Sequence, residues 1–385
     1  MTPLLPSRRL RPLLWQALAG LIVAAAVAFL AHNAAVNMAR LNITTGFAFL
    51  ERPAGFAIAQ HFIAYDEGSS YLRAFLVALL NTIAVSLVAI VCATALGFVI
   101  GIAQRSSNRL LALVAQAYIE ILRNIPLLLQ LFFWYFAVLR PLPAPRQSLD
   151  LLHLHGVFLN TRGLFLPAPV ATPGFAALAA SLIAALVAFL LLRRWAERRR
   201  EATGRPVQLL PLTTLLFGAP LAIAAALGFP LHWDLPVLAG FNFRGGVAVT
   251  PEFVAMALAL SLYGAAYIAE IVRAGLAAVP RGQVEAARAL GMPGGLMYRK
   301  IVIPQALRII IPPLASQYIL ITKNSTLAAA IAYPDLMLIF EGTVLNQTGQ
   351  AFEVTAITMA TYLLLGLAIS AAMNWRHRRS AWGAR

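Results

Sequence analysis

Glu285-Ala286-Ala287-Arg288-Ala289-Leu290-Gly291, carried on to Ile301-Val302-Ile303-Pro304, is a short polar passage between two long apolar runs, 253–272 and 305–332. Within it, Gln283 to Leu290 holds small and helix-favouring residues, and Glu285 and Arg288 are spaced to meet on one face. Gly291 stands where a helix stops, and Pro293 forbids continuation. The spacing predicts a helix of about two to three turns at a membrane surface. Ala286 and Ala287 give it a flat side on which the backbone of another protein can come close. A solvated linker is the plainer alternative.

The flanking runs set the class of the molecule. Of 385 residues, 61% are hydrophobic and only 11% are charged, with a mean hydropathy of +0.78. A soluble domain carries about 25% charged residues, so this chain cannot cover a water-facing surface. It reads as an all-α polytopic membrane protein. Cys92, the single cysteine, lies in an apolar run; it offers no disulfide framework and no metal site, and reads as a small core residue.

Taken in order, the chain predicts about eight transmembrane helices. The first, at about 13–31, is longer than a signal-peptide core and reads as a retained helix; a polar loop fills 33–70. The second, 71–103, carries Gly97 and Gly101, a GxxxG face for close packing. The third, about 110–139, is interrupted at Arg123-Asn124-Ile125-Pro126, where proline removes a donor and disfavours helix just before it. Residues 140–172 read as an irregular loop, with His153 and His155 too few for a metal site. Spans at about 173–192 and 208–228 follow, the first stopping at the basic run Arg193–Arg200, and 229–250 loops outward. Spans at about 251–273, 305–331 and 354–374 complete the set, with a polar loop at 333–353.

The net charge of +16 is distributed by side rather than by patch. Of the 30 Lys and Arg, 21 fall on the segments that share a side with both termini, seven on the opposite loops, and two, Arg123 and Lys323, inside spans. This asymmetry follows the positive-inside rule and places both termini in the cytoplasm, so the basic balance argues against nucleic-acid binding.

No catalytic group is expected. The only lysines, Lys300 and Lys323, lack the glycine-rich context of a P-loop, so ATP, if it drives the process, binds another polypeptide. Polar groups at membrane depth are costly and mark pathways or helix contacts. Four clusters qualify: Asn81-Thr82; Arg123, Asn124 and Gln130 around Pro126; Tyr263, Tyr267 and Glu270 on one helical face; and Lys323-Asn324-Ser325-Thr326. Each reads either as an interhelical hydrogen bond or as part of a route for a zwitterion. On the second reading the candidate pathway residues are Arg123, Asn124, Gln130, Tyr267, Glu270, Lys323, Asn324 and Ser325. Broken helices would add free backbone groups there. Glu270 and Arg273 could also simply pair across one turn.

Glu285, Ala286, Ala287, Gly291, Ile301 and Pro304 together form a pattern that resembles the cytoplasmic EAA loop of binding-protein-dependent ABC importer permeases, with Ile303 where leucine is usual. The segments Glu120–Gln130, Ala266–Arg273, Ala278–Gln283 and Lys323–Ala330 are similar to polar amino acid permeases of the histidine/glutamate/glutamine/arginine class. Asn124 stands where relatives often have glycine. The resemblance covers about 71–140 and 251–376 and implies a five-helix permease core like that of methionine importers.

From that resemblance the expected organisation is an N-terminal helix and periplasmic loop (1–70) and a first core part (71–140). An insert with two extra helices (141–250) then precedes a second core part (251–376), with the EAA loop at 275–304, and a cytoplasmic tail (377–385). Long permeases of general L-amino acid importers look like this. The family implies a multi-pass inner-membrane protein with no cofactor of its own. Its partners would be a second permease, two ATPase subunits carrying ATP and Mg, a periplasmic amino acid-binding protein and membrane lipid. An ion-gradient-driven transporter using Glu270 or Lys323, and a non-transporting scaffold, are the competing readings.

Overall fold

The apolar runs become helices, as their length and lack of water-seeking side chains dictate. A computed structural model describes residues 7–40, 45–151, 156–204, 210–226 and 231–382. The helices are α1 (Ser7–Arg40), α2 (Tyr71–Ala103), α3 (Arg109–Asn124) and α4 (Leu127–Phe132, continued as π-helix through Phe133–Leu139). They go on with α5 (Phe175–Thr203), α6 (Leu210–Ala226), α7 (Pro251–Ala277), α8 (Arg281–Ala289) and α9 (Gly294–Met297). The last are α10 (Ile303–Asn324), α11 (Leu345–Thr348) and α12 (Ala351–Trp382).

Among the described residues, α2, α5, α7 and Ala351–Trp375 of α12 are long and apolar enough to cross a membrane, and the broken pair α3–α4 is a fifth candidate. Leu14–Leu30 and Pro211–Ala225 are apolar but shorter. The architecture is thus the expected polytopic helical one, while the expected number of eight crossings is not what length and composition yield. α10 falls short because Gln305, Arg308, Gln317 and Lys323 dilute its apolar run.

Several boundaries differ from the sequence reading. α1 runs on to Arg40, so the loop before α2 is shorter than expected. The basic run Arg193–Arg200 does not end its helix: α5 continues to Thr203 and closes on Gly204. The stretch 333–353 was expected as a loop, yet Met337–Val344 is π-helical and leads into α11. Cys92 is exposed on α2, not part of the core. The pair His153 and His155 lies outside the described residues.

The chain packs into two units, Met1–Pro126 with Leu260–Arg385, and Leu127–Ala259. In the first, α2 lies against α7 at GxxxG. A Cβ on Gly101 would sit 2.6 Å from the Ala269 carbonyl oxygen, and one on Gly97 2.6 Å from Ile268 Cγ2, so only glycine permits this approach. A hydrophobic core of this unit gathers Phe49, Ile58, Val77, Leu336, Phe340 and Val354, which folds the strap 45–70 onto α2 and the segment 336–354. Asn81 secures that arrangement. Its side-chain amide donates to Gln60 O at 2.7 Å and Pro334 O at 2.8 Å, and its own carbonyl accepts from the Tyr333 hydroxyl at 2.9 Å. Thr82 Oγ1 accepts from the Leu336 N–H at 3.0 Å. The Asn81-Thr82 cluster therefore serves packing, the first of its two readings.

In the second unit, the stretches expected as irregular loops contain strands. β1 (Leu149–Asp150), β2 (Phe158–Asn160), β3 (Gly163–Leu166) and β4 (Ala168–Ala171) precede α5; β5 (Leu231–Asp234), β6 (Val237–Ala239), β7 (Asn242–Arg244) and β8 (Val247–Val249) follow α6. They form an antiparallel sheet in the order β1-β2-β3-β8 and two antiparallel pairs, β4-β5, which closes the base of α5 and α6, and the hairpin β6-β7. Phe158 and Phe165 hold Phe243 between centroids at 4.8 and 4.9 Å. Strands of two to four residues carry too little alternation to be read from sequence.

Candidate functional site

Two groups of side chains are available for function, one on the surface helix α8 and one along α7. Pro280, extended at ψ 131, precedes α8, and Gly291 follows it at φ +68. The Gly291 N–H donates to Arg288 O at 2.9 Å and the Met292 N–H to Ala287 O at 3.1 Å, the paired bonds of a Schellman stop. The nine-residue helix matches the length read from the sequence.

Its two alanines part company. Ala287 is buried and turns inward, towards the side where α9 and the π-helical turn Tyr298–Val302 lie, whose Met297 and Val302 are buried as well. Ala286 faces out, with Arg281, Gln283, Glu285 and Arg288. Leu290, 83% exposed, ends the helix as a bare apolar knob. Among the described residues, no hydrogen bond joins Glu285 to Arg288, and both remain free to meet another surface. Ile301 is half-buried and Pro304, in the first turn of α10, is exposed.

The second group begins where α3 ends. The Tyr118 hydroxyl donates to Leu262 O at 2.8 Å and pins α3 to α7. One and a half turns on, Arg123 and Asn124 stand exposed, and Ile125 turns extended (φ −93, ψ 127) before Pro126. The Arg123 guanidinium carbon lies 5.0 Å from the Tyr267 ring centroid, a cation–π arrangement. Tyr263 and Tyr267 share a hydroxyl–hydroxyl hydrogen bond of 3.1 Å, with rings 4.9 Å apart. Further along the same face, Arg273 grips Glu270 by two nitrogens, Nε to Oε2 at 3.0 Å and Nη2 to Oε1. The pair neutralises itself, which leaves Arg123 as the cation facing the two phenols. Such a strip can accept a carboxylate at the guanidinium and a second polar group at the hydroxyls.

Of the remaining pathway candidates, Lys323 is exposed and Asn324 half-buried at the end of α10. Ser325 is buried and donates to Thr322 O at 2.8 Å, beginning the 3₁₀ turn Ser325–Ile331. Gln130 is buried in α4, in the second unit.

One acidic residue escaped the sequence reading. Asp335 is fully buried; its Oδ1 accepts the Leu338 N–H at 2.8 Å at the start of the 337–348 helix, and the Tyr362 hydroxyl donates to Oδ2 at 3.4 Å. Burial pushes its carboxyl up from 3.8 to about 7, against the backbone N–H groups of Leu338 and Met337 that favour the charged form. The signal was present in Tyr333-Pro334-Asp335, an acid just before an apolar helical run, but the stretch read as a loop.

The chain is similar to several known proteins over most of its length. Residues 207–381 match the family described as binding-protein-dependent transport system inner membrane component. The chain is 52% identical over 372 residues to YhdX of Escherichia coli (strain K12), covering 96% of this chain and 94% of that protein. It is 46% identical to the general L-amino acid transport system permease protein AapQ of Rhizobium johnstonii, over 96% of this chain and 92% of that one. It is 37% identical to the glutamate/glutamine/aspartate/asparagine transport system permease protein BztB of Rhodobacter capsulatus, over 97% and 94%. A solved amino acid ABC transporter superposes with a TM-score of 0.48 at 23% identity, over 80% of this chain and 95% of that one. Relatives matched nearly end to end leave one assignment: the chain is a multi-pass inner membrane protein and belongs to the family of binding-protein-dependent transport system inner membrane components.

Proposed function

We propose that this chain is the conducting subunit of an amino acid importer whose ATPases are separate polypeptides bearing on α8. The observation that carries the reading is a surface helix with an exposed Glu285, Ala286 and Leu290, capped by Gly291, in a chain whose close relatives are named for amino acid transport. On this reading Glu285, Ala286 and Leu290 meet the ATPase, Ala287 and Ile301 seat the helix, and Gly291 and Pro304 fix where it turns. ATP and Mg stay on the partners. Two ATPase subunits, a second permease and a periplasmic binding protein complete the machine, and both termini face the cytoplasm. Substrate selection is shared with the binding protein. Within the membrane, the carboxylate of an amino acid meets Arg123 beside Tyr263 and Tyr267, with Asn124, Lys323 and Asn324 as further polar stations and Ser325 holding the turn. Glu270, already paired with Arg273, is poorly placed to couple an ion gradient.

The direct experiment is cysteine cross-linking in the assembled complex. In a Cys92→Ala background, cysteine at Ala286 or Leu290 is expected to cross-link to the ATPase subunit and to do so in a nucleotide-dependent way. The absence of any ATPase adduct from both positions would overturn the coupling role.

A further inference from the structure

The second unit holds a groove lined by none of the residues assigned to transport above. α5 and α6 run side by side, with the rings of Phe189 and Phe217 5.9 Å apart. Between them opens a cleft of about 440 Å³ walled by Ala184 and Ala188 on one helix and Leu212, Leu215 and Leu216 on the other. Ser181 borders it but turns its hydroxyl back onto Leu178 O at 2.7 Å, so the lining presents hydrocarbon.

α5 is longer than the membrane needs. Its 29 residues span about 43 Å at 1.5 Å each, against a hydrocarbon core of about 30 Å. The surplus carries Arg193, Arg194, Arg198, Arg199 and Arg200 against only Glu197 and Glu201. Arg193 is taken by Glu197 at 3.0 Å. Ser181, Ala184, Ala188, Trp195 and Arg199 follow one another at helical spacings on one face, so the groove leads up to Trp195. Arg199 folds back over that indole, 5.1 Å from its centroid, and Arg198 stands exposed beside it. The guanidinium of Arg199 therefore lies near the level of Trp195, about 10 Å along the axis from Ala188. Trp195 is itself half-exposed, the amphipathic ring expected where hydrocarbon gives way to headgroups.

We propose that the α5–α6 groove holds an acyl chain of an anionic phospholipid whose phosphate is bound by Arg198 and Arg199. An apolar slot ending one headgroup's distance below unneutralised arginines complements a hydrocarbon chain joined to a phosphate, and complements a neutral lipid less well.

The test is native mass spectrometry of the full chain in its complex, titrated separately with phosphatidylglycerol and phosphatidylcholine of matched chains. Phosphatidylglycerol is expected to bind at least ten-fold tighter. The double variant Arg198→Gln/Arg199→Gln, which takes a guanidinium off Trp195 but leaves the groove lining intact, should lose about thirty-fold in that affinity, the weight of two surface arginines. Ala188→Phe, which fills the slot and leaves the arginines, should weaken both lipids. Equal affinities for the two lipids, or unchanged phosphatidylglycerol binding in both variants, would overturn the proposal. So would cross-linking of a cysteine at Ala188 to a partner subunit, which would show a protein helix in the groove.

Discussion

Arg123 rests on Tyr267, and its chemistry can be separated from its charge. Arg123→Lys keeps a cation but loses the planar stack, worth about 0.5–1 kcal/mol at an exposed site, so transport is expected to fall by a few-fold. Arg123→Ala removes both and should cut uptake at least ten-fold while binding-protein-stimulated ATP hydrolysis persists; full uptake in the alanine variant would remove Arg123 from the pathway. Asp335 supplies a pH dependence. Its folded carboxyl keeps its proton up to about pH 7, whereas an unfolded one releases it near 3.8, so ionisation weakens the fold across that window. Stability should decline as pH rises from about 4 to 7 and level off above. Asp335→Asn should remove that slope, with its melting temperature gaining on the wild type between pH 5 and pH 8; a constant gap would show that the carboxyl does not titrate there. At this scale the sequence told residue types and spacings, which is why the Tyr263–Tyr267–Glu270 face was legible. It did not tell burial. Asn81 reads either way from sequence and is a packing clamp, Cys92 reads as interior and is exposed, and Asp335 gives no sign of its burial.

At the scale of elements, α8 owed its legibility to local rules alone: a helix-favouring run, a glycine at φ +68 and a proline two residues on. Because Leu290 touches so little of its own chain, Leu290→Asp should leave stability within about 0.5 kcal/mol yet abolish the link between ATP hydrolysis and uptake in the reconstituted complex. Loss of membrane insertion in that variant would point to a folding role instead. Gly101 makes the opposite prediction. Gly101→Leu forces side-chain atoms into the Ala269 carbonyl and should destabilise the α2–α7 pair by about 1–3 kcal/mol or more, read as reduced yield and melting temperature. The elements that escaped the sequence are the short ones. The strands of the second unit pair residues as distant as Leu164 and Val249, and no local pattern announces a partner so far along the chain.

The whole molecule raises the question of sidedness, which charge alone addresses. In a Cys92→Ala background, cysteine at Phe241, on the β6–β7 turn, is expected to react with a membrane-impermeant maleimide in intact cells. Cysteine at Glu201, near the end of α5, should react only after permeabilisation. The reverse pattern would place the basic helix end outside and turn the proposed ATPase contact away from the cytoplasm. Helical class and membrane embedding followed from composition, since a chain with so few charges has no soluble option. The number of crossings was less legible, because α10 mixes prolines and polar groups into an apolar run and α3 breaks at Pro126.

The Asn81 carboxamide joins three stretches far apart in the chain: Gln60, Pro334 and the helix that carries it. The helix, the strap and the Tyr333–Asp335 corner are thereby tied as freight on one carrier, since none can shift alone without emptying a buried hydrogen bond. Just before that corner stands Ala332, whose φ of +60 is the sole left-handed non-glycine backbone among the described residues and ends the 3₁₀ turn Ser325–Ile331. Ala332→Gly should therefore relieve about 1 kcal/mol of left-handed strain and raise the melting temperature without altering a single side-chain partner.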